Sequence, residues 1–146
     1  MSGPPVMLRL IIFNSLLLGS CGYAVWRGQK YERIVAAVCL IASFGTLAVL
    51  SSFESLYAHV EIGALAVDLA TLAAFIFVAL RSDRFWPLWI SGLQLTTSVA
   101  HLMKLINPML LPIAYSAAER AWSYPILIML AVGTWRGHKR RMRADV

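Results

Sequence analysis

An aspartate, a histidine and a threonine set among apolar residues are the groups in this chain best suited to chemistry. The stretch FWPLWISGLQLTTSVAHLMKLI, residues 85 to 106, is long enough to cross a bilayer as a helix. At about 100° per residue, Gln94, Thr97, Ser98, His101 and Lys104 share an arc of roughly 120°. Leu95, Val99, Leu102, Met103 and Ile106 occupy the rest of the circumference. Such a polar seam has to face protein or water, because lipid offers it no hydrogen bonds. Asp68 stands in the preceding apolar run, and the short turn RSDR, residues 81 to 84, makes the two runs antiparallel neighbours.

Depth sharpens that pairing. A helix rises about 1.5 Å per residue, which puts Asp68 roughly 12 Å below the outer end of its run, with His101 and Thr97 roughly 9 and 15 Å below the outer end of the next. Asp68 is therefore expected within direct or one-water hydrogen-bonding reach of His101 and Thr97. A carboxylate, an imidazole and a hydroxyl at matched depth can relay protons, line a vestibule for a small solute, or fix one helix against another. Around them the outer-half ionisable groups balance, with Arg9, Lys104 and Arg120 against Glu61, Asp68 and Glu119. Arg9, Lys104, Glu61 and Glu119 are shallow enough to reach headgroups, so anchoring or structural pairing accounts for them. Asp68 is too short and too deep for that.

Other reactive side chains have plainer readings. Cys21 and Cys39 sit inside apolar runs at matched depth and read as small packing residues, not as a redox pair. His59 and His101 could ligate a haem only across a difference of about two helical turns. No cofactor is expected, and haem or quinone at His101 remains a subordinate reading. No phosphate loop, catalytic triad, metalloprotease helix or four-ligand metal set is present. Ser15 and Gly19, four apart, and the alanines between residues 60 and 80 suit close helix packing. Pro125 frees the carbonyl of Ala121 and is a point for a kink.

The elements that carry these residues follow from composition. The 146 residues are 60% hydrophobic and 14% charged, and the apolar runs are about 20 long, the length of a membrane span. The expected fold is an all-α integral membrane protein, a five-span helical bundle with spans at about 6–26, 34–50, 60–80, 85–106 and 116–135. A basic tail, residues 136–146, follows. Pro108 and Pro112 predict a short interfacial segment between spans four and five. The net charge of +6 does not indicate a nucleic-acid partner, because ten of thirteen Lys and Arg flank apolar runs. Placed with the N-terminus outside and the C-terminus inside, those ten lie on the cytoplasmic side, against Arg9, Lys104 and Arg120 outside. Trp26, Trp86, Trp89 and Trp135 then stand near the inner interface.

Leu18-Gly19-Ser20-Cys21 after a basic residue and an apolar run resembles a bacterial lipoprotein signal. Cleavage there would leave four spans and put the basic C-terminus outside, so a retained first helix is preferred. VWRGQK and TWRGHK echo one another, as shared interfacial anchors would. The chain has the general look of small bacterial inner-membrane proteins, which implies no activity. The reading that fits is a multi-pass inner-membrane interaction protein: an accessory subunit, assembly factor or scaffold, with the lipid bilayer and other membrane subunits or itself as partners. A small transporter or channel using Asp68 and His101, and a redox subunit binding quinone or haem, are the alternatives.

Overall fold

Backbone amides that leave water must bond within their own segment, and apolar runs of this length do so as helices. The computed structural model describes residues 5–52, 57–107, 109 and 123–146, and among these it contains five helices. They are α1 (Val6–Arg27), α2 (Lys30–Ser52), α3 (Tyr57–Arg81), α4 (Trp86–Ile106) and α5 (Ser123–Ala144). α1 stops where the Gly28 N–H closes on Ala24 O and the chain turns extended. α4 starts with Pro87 in its first turn, where a missing N–H leaves no bond unmade.

Each helix packs on its sequence neighbour, α5 closes back onto α1 and α4, and α2 also meets α5 across the ring. Ala24, Val35, Ala36, Val78, Ile90 and Leu130, drawn from all five helices, are wholly inaccessible and form the centre. Chain direction alternates, so the α1–α2 and α3–α4 connections and the C-terminal half of α5 gather at one end. Ten Lys and Arg lie at that end, with Glu32, Asp83 and Asp145. Cation–π contacts of Arg27 on Trp26, Arg81 on Phe77 and Lys139 on Trp135 border it.

Among the described residues, three helices are long and apolar enough to cross a membrane: α1 over Met7–Arg27, α2 over Lys30–Val49 and α3 over Ile62–Arg81. α4 is diluted by its polar seam, and the described part of α5 carries five Lys and Arg. Two boundaries differ from expectation. Only Gly28 and Gln29 separate α1 from α2, so most of the charged stretch 27–33 expected between the first two spans is helix. The basic tail is also helix as far as Ala144, since backbone bonds propagate readily once a buried stretch has nucleated them. Apart from Met109, the interfacial segment expected after Asn107 lies outside the described residues, as does the start of the fifth expected span.

The small-residue contacts differ as well. Gly19 and Ser15 are exposed, and a Cβ at Gly19 would meet nothing within 4 Å. Of the α3 alanines, Ala66, Ala70 and Ala73 face outward. The close approaches are made elsewhere. A Cβ on Gly63 would lie 2.7 Å from Val49 Cγ1, and one on Gly133 2.9 Å from the Trp86 ring. Gly133→Ala is therefore expected to destabilise the bundle by about 1–3 kcal/mol through overpacking. Gly22→Ala, whose Cβ meets nothing, should instead be neutral or slightly stabilising. Unfolding of both variants in detergent checks the contrast, and equal stabilities would refute it.

Candidate functional site

Asp68 reaches the polar face of α4 about midway along α3. Gln94 Nε2 donates to Asp68 Oδ1 at 3.0 Å and also lies 3.5 Å from the Asp68 carbonyl oxygen. His101 Nε2 stands 3.0 Å from Asp68 Oδ2. That separation is ion-pair range, but the contact lacks the alignment of a hydrogen bond. Gln94 and His101 are seven residues apart, two turns on one face, which lets a single carboxylate sit between them. Both are buried, and the Asp68 side chain is about one-fifth exposed. The arrangement joins α3 to α4 and sets a carboxylate against an imidazole.

The seam hydroxyls do not join it. Thr97 Oγ1 donates to Leu93 O at 3.3 Å and Ser98 Oγ to Gln94 O at 3.0 Å, as Ser91 Oγ does to Pro87 O at 2.8 Å. Thr97, expected at Asp68, is occupied by its own helix, since a carbonyl one turn back is always within a threonine's reach. Lys104 is half-buried and Arg9 is exposed. The side chain of Glu61 lies outside the described residues, as do Glu119 and Arg120, so the rest of the outer cluster has no described geometry. The His59 side chain does too.

Cys21 and Cys39 are buried free thiols, with Cys21 Sγ 3.6 Å from Ala36 O. Among the described residues no three His, Cys, Asp or Glu stand together as a metal site.

A second polar centre, at the basic end, was not singled out by sequence reasoning. Glu32 is 1% exposed. Its Oε2 accepts the Gln29 N–H at 3.0 Å, capping the start of α2, and its Oε1 pairs with Arg84 Nη1. Arg84 Nη2 donates to Gln29 Oε1 at 2.7 Å. Gly137 of α5 closes over the pair, where a Cβ would come 2.7 Å from Arg84 Nη1 and 3.2 Å from Glu32 Oε1. This clasp ties the α1–α2 connection to the α3–α4 turn and α5. Two sequence signals pointed to it. Gln29 and Glu32 have capping-box spacing, and Gly133 and Gly137 are four apart. Nearby, Arg27 Nη1 and His138 Nε2 lie 3.3 Å apart, linking α1 to α5.

Fold and site together define a small helical bundle which, among the described residues, has three helices apolar enough to span a membrane and two buried polar centres. Comparison with protein-family models, curated proteins and solved structures finds no match.

Proposed function

We propose that this chain is a small polytopic inner-membrane interaction protein, serving as accessory subunit, assembly factor or scaffold of a larger membrane complex. The observation that carries the reading is how the interior polar groups are used. Asp68, Gln94 and His101 bind α3 to α4, and Glu32 and Arg84 bind the connections at the basic end. Between the two centres lie Phe75, Val78, Ile90 and Leu130, all 0–1% exposed. A rise of about 1.5 Å per residue places Phe75 roughly 10 Å from Asp68 toward the basic end, so a largely apolar plug separates the centres, and the Thr71, Ser91 and Thr134 hydroxyls within it donate to carbonyls of their own helices. Polar groups that lock helices and stop at a plug suit a fixed scaffold better than a conduit.

In this reading the chain crosses the membrane five times, with the N-terminus outside and the basic end cytoplasmic. Reporter fusions after Arg33 and Arg84 are expected to read cytoplasmic, and one after Glu54 external. A periplasmic signal from a full-length C-terminal fusion would overturn this topology.

Purification of the full chain in mild detergent tests the function. Stoichiometric co-isolation of other membrane subunits is expected, and it should survive Asp68→Asn. A contrary result would come from the purified protein alone in liposomes. Proton or solute flux abolished by Asp68→Asn would replace the scaffold with a transporter built on the 3.0 Å Asp68–His101 contact. A visible absorption band on the isolated protein would indicate a haem-bearing subunit instead.

A further inference from the structure

The outer faces of α1 and α2 do not close on each other near the basic end. A hollow of about 550 Å³ opens there, lined by Leu18, Cys21, Gly22, Val25 and Trp26 of α1 with Arg33 and Leu40 of α2. It exists because Gly22 presents no side chain between Leu18 and Val25, on the stripe that repeats every three or four residues. From Leu18 to Trp26 the helix rises about 12 Å, close to the depth of one leaflet of a hydrocarbon core about 30 Å thick. Beyond Arg33 lies a second hollow of about 450 Å³, lined by Gly28, Gln29, Lys30, Arg33, Ile34 and Arg141. Arg33 belongs to both.

The chemistry of the two hollows is complementary to one kind of molecule. The first is apolar and the second carries three exposed cations, none in an ion pair among the described residues. Glu32, the carboxylate nearest Lys30 and Arg33 in sequence, is turned inward and held by Arg84 and the Gln29 amide, and Asp145, one turn beyond Arg141, makes no ion pair with it among the described residues. We propose that α1 and α2 hold an anionic phospholipid, with an acyl chain along Leu18, Gly22 and Val25 and its phosphate at Arg33, Lys30 and Arg141. Arg offers a phosphate two parallel N–H donors, and a basic recess beside membrane helices selects anionic headgroups. Trp26, exposed at the rim with Arg27 stacked on it, lies at the level where an indole meets headgroups. The site requires only that α1 and α2 lie in a bilayer, so it stands whether or not the scaffold role does.

Native mass spectrometry of the full-length protein, supplied with phosphatidylglycerol or phosphatidylcholine of the same chains, tests the assignment. Phosphatidylglycerol should be retained about tenfold more, with retention falling about fivefold for each charge removed by Arg33→Gln, Lys30→Gln or Arg141→Gln. Gly22→Leu, whose Cβ enters open space, should lower phosphatidylglycerol retention without moving the unfolding midpoint. Should the midpoint move, Leu18→Trp fills the same hollow from an exposed position and must give the same loss. Equal retention of the two lipids would overturn the proposal, as would hollow-filling variants that bind normally. Glycerol phosphate bound as tightly as the lipid would also overturn it, by showing a phosphate site without an acyl groove.

Discussion

Arg84→Ala should lower the stability of the bundle by about 3 kcal/mol, the low end of the range for breaking a buried ion pair. The expectation follows from the asymmetry of the clasp: Glu32 is 1% exposed, whereas the Arg84 side chain is 21% exposed. Removing the arginine strands a carboxylate that water barely reaches, although the partial exposure of Arg84 admits some solvent and moderates the loss. The intact pair contributes less to net stability than its rupture costs, because the desolvation of both ions offsets much of their attraction.

The double variant Glu32→Gln with Arg84→Met should therefore recover most of the loss, because the glutamine still accepts the Gln29 N–H and no charge is left buried. Arg84→Lys should fall between. A lysine keeps the charge but cannot present the planar fork that serves Glu32 and Gln29 together. Unfolding in detergent across these variants is the measurement, and an Arg84→Ala loss below about 1 kcal/mol, the size of a surface pair, would show that the clasp is not a structural element.

The second large effect is expected at Asp68. Asp68→Ala removes the acceptor of Gln94 Nε2 and the group facing His101, and should destabilise by about 1–3 kcal/mol, the range for a buried polar group deprived of its partner. The Asp68 carbonyl, 3.5 Å from Gln94 Nε2, remains as a weak acceptor and holds the loss below that of the clasp. Asp68→Asn keeps an oxygen for Gln94 and should fall under about 1 kcal/mol, in line with interhelical hydrogen bonds within membranes. Parity of the alanine and asparagine variants would mean that the contact does not fix α3 against α4.

Much of the Asp68 site was legible in the sequence because its determinants are local. Periodicity put Gln94 and His101 on one face, the four residues of RSDR made α3 and α4 antiparallel, and the rise per residue matched their depths. For Thr97, periodicity gives the direction of the side chain but not its hydrogen-bond choice. The carbonyl of Leu93, supplied by the same helix, wins over a carboxylate on another. The helical class and the clustering of basic residues at alternate connections were likewise determined by composition and spacing alone.

Only the tertiary structure decided which distant residues meet. Glu32 and Arg84 are 52 positions apart and Arg27 and His138 are 111 apart; each pairing depends on how neighbouring helices rotate about their axes. The same rotation turns Gly19 and Gly22 out to open space while Gly133 and Gly137 receive Trp86 and Arg84. A glycine reads identically in sequence whether it admits a neighbour or leaves a groove, and the packing of the other helices selects between the two.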